Sequence, residues 1–166
     1  SAGFSFIDSI PCMLADLSLP EAEEDDRSLQ IVQVQNEETL RVWEKVSFAG
    51  FDFPPETQHQ YHRFVGTFNL KADSPQKFFL AYFNGQPVAT SLLFLHETAA
   101  GIYFISTLAE IRRKGIGLAI TRSTMRVARQ AGAQYATLQS SPDGLHVYRQ
   151  AGFQEYCRVD VYGLSG

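Results

Sequence analysis

One stretch restricts the architecture of this chain more than any other: Ile105-Ser106-Thr107-Leu108-Ala109-Glu110-Ile111-Arg112-Arg113-Lys114-Gly115-Ile116-Gly117. An apolar strand enters a basic, glycine-punctuated turn, and a helix leaves it. Two glycines spaced two apart let the backbone curl until successive N–H groups converge on one concavity, to which the following helix adds its positive end. An anion fits there, each charge-assisted amide bond contributing about 1.5–3 kcal/mol net. The alternative is a helix start that needed a flexible glycine, and Gly115-x-Gly117 by itself leaves both open.

Two familiar phosphate loops do not fit. The dinucleotide-binding pattern needs a third glycine three residues after the second, where this chain has Ile120. The nucleoside triphosphate loop needs glycine, then lysine, then a hydroxyl residue, whereas Lys114 precedes Gly115.

Composition narrows the setting. A chain of 166 residues with 45% apolar and 19% charged residues is long enough for one domain with a substantial core, and too short for two. A net charge of −4 and a pI near 5.5 disfavour a general nucleic-acid binder, although Arg112, Arg113, Arg122, Arg126 and Arg129 keep a local basic patch in view. No stretch approaches a membrane span, and the first residues lack a basic start followed by an apolar segment, so a cytoplasmic protein with no membrane partner is expected. Cys12 and Cys157 are too few for a disulfide framework and read as reduced and structural. His59-x-x-His62 with Glu56 shares one helical face but departs from the four-residue step of helical zinc sites, so no metal site is expected.

The chain opens at Ser1-Ala2-Gly3 without methionine, which reads as an expression remnant or a cut from something longer. Glu21-Ala22-Glu23-Glu24-Asp25-Asp26 reads as a solvated linker. Residues 1–28 are therefore expected to be an N-terminal arm and acidic linker, and residues 29–166 the domain. Within the arm, Phe4, Phe6, Ile7, Ile10, Met13, Leu14 and Leu17 are too apolar for a free tail and read as a strand or short arm that docks elsewhere.

From Leu29 onward the pattern alternates strands and helices. Residues 31–35 read as a strand, and Asn36 as the cap of a helix carrying Leu40, Trp43 and Val46. Phe51-Asp52-Phe53-Pro54-Pro55 breaks that helix and reads as a lid, after which 56–70 resumes one. Residues 77–83 and 87–95 read as a hairpin turning at Asn84-Gly85, and 100–108 as a third strand. These strands are apolar on both faces, as a sheet covered by helices requires. A helix over 116–131 presents a small-residue face, and a strand (135–139), a short helix (142–151) and a strand (153–162) follow.

Two motifs in this order carry a family resemblance. Arg112-x-x-Gly115-x-Gly117 is similar to the arginine or glutamine, x, x, glycine, x, glycine or alanine turn of the GNAT superfamily of N-acetyltransferases. Ser141-Pro142-Asp143-Gly144-Leu145-His146-Val147-Tyr148-Arg149-Gln150-Ala151-Gly152-Phe153 resembles the family's asparagine-x-x-alanine-x-x-phenylalanine-tyrosine-x-x-x-glycine-phenylalanine segment. Tyr148, Gly152 and Phe153 match, while Ser141, Gly144 and Val147 depart from the common residues. The resemblance covers about residues 29–164, and the stretch before the linker looks like the tail of a preceding module in longer relatives. It implies an α/β (α+β) GNAT fold: a mixed, mostly antiparallel central sheet of six to seven strands with helices on both faces.

It also implies a reaction, the transfer of acetyl from acetyl-CoA to a primary amine of a small molecule or peptide, without a metal. Ser106, Thr107 and Leu108 would offer backbone groups to the pantetheine arm, and Arg113, Lys114, Gly115, Ile116 and Gly117 would hold the pyrophosphate. Arg112 and Ser141 join the expected cofactor-binding set, and a homodimer is compatible with it. Tyr148 is the expected catalytic residue, because a departing thiolate needs a proton and a tyrosine with a reference pKa of about 10 still carries one at neutral pH. A ring that simply packs on the sheet is the alternative.

The attacking amine needs the opposite help: with a pKa of about 10.4 it is neutral at pH 7 about once in 2,500 molecules, a penalty of about 4.6 kcal/mol. Where some relatives carry a strand glutamate as base, this chain has Gly101, and His96, Glu97 and Glu110 are only neighbours in sequence. A backbone amide near Leu108 is the expected group polarising the thioester carbonyl. The missing carboxylate keeps open a second reading, an acyl-CoA-binding regulatory module without catalysis.

Overall fold

The computed structural model describes residues 3–19 and 29–164; the acidic stretch 21–26 lies outside the described residues. In chain order the elements are β1 (Phe4–Asp16), β2 (Leu29–Gln33), α1 (Glu37–Gly50), α2 (Gln58–Val65), β3 (Gln76–Phe83), β4 (Gln86–His96), β5 (Ala99–Thr107), α3 (Ile116–Gln130), β6 (Tyr135–Gln139), α4 (Leu145–Gln150) and β7 (Gln154–Leu164). The strands form one sheet in the order β2-β3-β4-β5-β6-β1-β7, antiparallel throughout except where β5 meets β6.

Local chemistry explains most boundaries. The Asn36 side chain accepts from the Thr39 amide at 2.9 Å and so starts α1. Asn84 (φ 51°) and Gly85 (φ 77°) both adopt left-handed backbone, the two-residue turn whose twist matches a hairpin. The helix expected over 56–70 is shorter: a 3-10 turn at Pro55–Thr57 leads into α2, which stops at Val65. The Thr67 hydroxyl takes the Phe64 carbonyl at 2.7 Å, and Phe68 folds inward onto Trp43 and Phe78 instead of continuing the helix.

Helices cover both faces of the sheet's first half. Trp43, Val46, Tyr61 and Val65 of α1 and α2 bury against Phe78, Leu80 and Leu92 on one face. Ile116, Ile120, Met125 and Ala128 of α3, with Tyr148 and Phe153, bury against Phe79, Leu93, Ile102 and Leu138 on the other. A buried Ser91–Thr124 hydroxyl pair at 2.6 Å ties α3 to β4. No helix among the described residues is long and apolar enough to cross a membrane.

The N-terminal segment does not stand apart from the domain. It lies inside the sheet as β1, between β6 and β7, with Met13, Ala15 and Leu17 buried in the α3 core at alternating positions. Its apolar residues do not alternate cleanly in sequence; its partners, more than a hundred residues away, make it a strand and decide where it lies.

Candidate active site at the divergence of two strands

β5 and β6 pair only through Ala99–Gly101 and Tyr135–Thr137. Beyond Gly101 the two strands part, leaving β5 bonded to β4 and β6 bonded to β1. A bulge accounts for the parting: Thr90 pairs with Ser106 and Leu92 with Tyr103, so Phe104 and Ile105 face Ser91 alone. Phe104 takes φ 51°, which bends β5 just after its last bond to β6. Such a conformation costs about 1–3 kcal/mol in a non-glycine residue. Ring contacts to Trp43, Phe51, Tyr61, Phe64 and Phe68 hold it there. The result is a wedge edged by backbone amides and carbonyls that no strand satisfies.

At the open end of the wedge, Arg113 (φ 62°) and Gly115 (φ 77°) both adopt left-handed backbone, with Gly115 leading directly into α3. Gly115 is the N-cap of α3 and supplies no side-chain partner for the first amides of that helix. The positive end of a 15-residue helix therefore faces the turn with its donors uncapped, the arrangement an anion neutralises. Gly117 is demanded by neither conformation nor packing: a Cβ there would lie at ordinary contact distance, 3.7 Å from the Thr107 hydroxyl and 4.0 Å from Val147.

The expected cofactor residues divide into two groups. Arg113, Gly115, Ile116 and Gly117 lie in the left-handed turn and the first residues of α3. Lys114 places its ammonium 5.4 Å from the centre of the Phe83 ring, at the turn's flank. Arg112, by contrast, turns back into the protein, donating to the Thr107 carbonyl at 3.0 Å and the Gly50 carbonyl at 2.7 Å. It splints the turn to the end of α1. The Ser106 hydroxyl bonds to Thr90 at 2.8 Å. The Leu108 amide donates to the Val88 carbonyl at 3.0 Å, so it is committed to the sheet and is not available to a thioester. The Ser141 hydroxyl accepts from the Gly144 amide at 3.2 Å and caps the turn that leads into α4.

Tyr148 lies on α4 with 9% of its surface exposed, its ring edge-on to Phe153 at 6.2 Å. Gly144 leaves room for that ring, since a Cβ at 144 would come within 2.6 Å of it. Burial pushes the Tyr148 hydroxyl up to about 12. Among the described residues that hydroxyl has no hydrogen-bond partner, a costly state for a buried polar group unless something else engages it.

On the opposite face of β5, Gly101 is overlaid by Tyr103, two residues on and on the same side of the strand. Sequence reasoning passed over Tyr103, although the glycine two residues before it signals a ring lying along the strand. His96 ends β4, Glu97 sits in the turn after it and Glu110 in a 3-10 turn; all three are exposed. His62 pairs with Glu44 at 3.0 Å rather than with His59. The Phe51–Pro55 break packs Phe53 on Phe51 and Phe48, and leaves Phe51, Phe53 and Phe64 36–44% exposed beside Phe104.

A parted strand pair, a left-handed turn and an uncapped helix form one continuous feature, and residues 30–153 match the profile of the Acetyltransferase (GNAT) family. The chain belongs to the GNAT acetyltransferase family. Solved structures share the fold. A GCN5-related N-acetyltransferase from Kribbella flavida is 18% identical with a TM-score of 0.78, over 99% of this chain and 61% of that one. One from Sphaerobacter thermophilus is 20% identical with a TM-score of 0.78, over 96% of this chain and 52% of that one. A predicted acetyltransferase from Clostridium acetobutylicum, solved with acetyl-CoA, is 16% identical with a TM-score of 0.63, over 77% of this chain and 91% of that one. This GNAT chain thus spans about 61% and 52% of the length of the first two. No curated protein matches it in sequence.

Proposed function

We propose that this GNAT chain is an N-acetyltransferase that passes acetyl from acetyl-CoA directly to a primary amine of a small molecule or peptide. The observation that carries the reading is the cradle of Arg113 and Gly115 at the uncapped start of α3, set where β5 has left β6. The donors present suit CoA: main-chain N–H groups for a pyrophosphate, and free strand edges for the amides of a pantetheine arm. The Clostridium acetobutylicum neighbour, solved with acetyl-CoA, points to the same cosubstrate.

When bound, acetyl-CoA supplies an acyl thioester, a good electrophile with a thiolate leaving group. Arg113 to Gly117 would hold its pyrophosphate and the parted edges of β5 and β6 its arm. Tyr148 keeps its proton at neutral pH, its pKa raised to about 12. Full proton transfer to a thiolate with a pKa of about 8.5 runs uphill, so the step this hydroxyl serves is a hydrogen bond to the departing sulfur. The acceptor would approach on the α1–α2 face, past the exposed rings of Phe51, Phe53 and Phe64. There the Tyr103 hydroxyl would orient the amine. The same reading takes the setting to be cytoplasmic, in keeping with the free Cys12 and Cys157.

Gly101 favours a second reading, a CoA-binding module without turnover, because the strand offers no carboxylate there. Calorimetry with acetyl-CoA, followed by thiol release across a panel of amines, separates the two. Binding with release supports the transferase, and binding without release from any amine supports the module. No heat of binding at millimolar acetyl-CoA rejects both.

A further inference from the structure

The chain has two cysteines, 145 positions apart, and the fold sets them directly opposite each other: Cys12 of β1 and Cys157 of β7 are register partners in an antiparallel pair. Opposed residues in such a pair have Cα atoms about 4.5–5.5 Å apart and side chains on the same face. Disulfides span Cα separations of about 4.4–6.8 Å, so the bond needs no backbone movement.

We propose that Cys12 and Cys157 are a reversible disulfide site that fastens the N-terminal strand to the last strand of the sheet under oxidising conditions.

Three observations carry this beyond coincidence of register. Both thiols are free, Cys157 exposed and Cys12 half-buried, so an oxidant reaches the pair from solvent. Both lie on the face away from α3, since Met13 and Ala15, the alternate positions of β1, are buried against that helix. Gln154 to Asp160 of β7 are all exposed, so nothing among the described residues covers Cys157.

With a peroxide as oxidant the chemistry balances. The exposed Cys157 thiolate attacks a peroxide oxygen, the O–O bond breaks, and one water leaves as Cys157 becomes a sulfenic acid. The Cys12 sulfur then attacks the Cys157 sulfur, and the displaced hydroxide departs as the second water with the Cys12 proton. Two thiols are oxidised to one disulfide while one hydrogen peroxide is reduced to two waters. Burial and the adjacent Cys157 thiol push Cys12 up, which holds it as the thiol and leaves the first attack to the more exposed sulfur. A dithiol reductant reverses the bond by exchange.

The bond would close a loop of almost the whole described chain. It would also lock β1, whose other edge bonds β6, the strand that borders the wedge. The test uses the chain as it stands, treated with stoichiometric hydrogen peroxide at low protein concentration. The expected result is a monomer that has lost two hydrogens, has no alkylatable thiol, yields the Cys12 and Cys157 peptides linked, and melts about 5–15 °C higher until dithiothreitol restores it. Cys157→Ser and Cys12→Ser should each abolish the upward shift, and because one serine suffices, misfolding of the other variant leaves the comparison intact. Separately alkylatable thiols after oxidation, linkage only between chains, or an intramolecular bond without a rise in melting temperature would each overturn the proposal.

Discussion

The phenol of Tyr103 lies over the α-carbon of Gly101: a Cβ added at 101 would fall 2.6 Å from the Tyr103 hydroxyl and 2.5 Å from its ring. The bare strand position and the tyrosine therefore form one unit, in which the absence of a side chain makes room for a hydroxyl. Gly101→Ala must push the ring aside. Because that ring is 39% exposed and free to turn, the expected loss of stability is small, under about 1 kcal/mol in urea unfolding. The expected effect on turnover is larger, with a rise in acceptor KM and an unchanged affinity for acetyl-CoA. Tyr103→Phe, which keeps the ring and deletes the hydroxyl, should raise acceptor KM in the same way. If neither moves it, the acceptor does not approach along this face of β5.

Tyr148 links burial to pH. Its folded pKa of about 12 exceeds the unfolded value of about 10, so the native state keeps a proton that the unfolded chain releases. The resulting stability is complete below about pH 10 and is lost as pH rises from there to about 12. Tyr61, also raised to about 12 by burial, acts in the same direction. Alkaline unfolding should become less steep in Tyr148→Phe. The same variant should lower kcat about 10–100-fold, the worth of one hydrogen bond to a charged sulfur, and leave acetyl-CoA affinity unchanged. Unchanged turnover would remove Tyr148 from the reaction.

Features with local causes were legible in the chain. The Asn84-Gly85 hairpin, the Asn36 cap, the small face of α3 and the Gly115 turn each follow from a few neighbouring residues. What escaped depends on partners distant in sequence. Arg112 looks like a ligand for phosphate until the carbonyl of Gly50, 62 residues earlier, is seen to occupy it. The apolar content of 4–17 announces a strand or arm that docks, but not its slot between β6 and β7. The Leu108 amide appeared free because nothing nearby in sequence reveals the Val88 carbonyl that holds it.

The Arg112 splint makes a prediction that a direct phosphate ligand would not. Arg112→Ala should cost about 1–3 kcal/mol of stability, since it strips charged donors from two carbonyls. It should weaken binding of acetyl-CoA and of its analogue lacking the 3′-phosphate by the same factor, because the damage is to the shape of the turn. A selective loss for acetyl-CoA would mean that the guanidinium leaves its carbonyls when the cosubstrate binds.

The two glycines of the turn should behave oppositely. Gly115→Ala forces a side chain into a left-handed position, at a cost of about 1–2 kcal/mol, and should weaken acetyl-CoA binding measured by calorimetry. Gly117→Ala meets only ordinary contacts at 3.7 and 4.0 Å and gains helix propensity, so it should be neutral or stabilising by up to about 1 kcal/mol. Equal losses at both positions would contradict the assignment of the conformational demand to Gly115 alone.

Phe104 offers the sharpest test of why the strands part. Its left-handed backbone is held by an aromatic cluster that includes Trp43, 5.6 Å away between ring centroids. Phe104→Ala removes the rings' hold but keeps the unfavourable φ, and should cost about 2–4 kcal/mol. Phe104→Gly loses the same packing but relieves about 1–2 kcal/mol of backbone strain. In an ordinary strand glycine is the less stable of the two by roughly 0.5–1 kcal/mol. Here urea unfolding should place Phe104→Gly level with Phe104→Ala or above it. If alanine proves clearly more stable, residue 104 does not need its left-handed conformation, and the bulge cannot be what bends β5 away from β6.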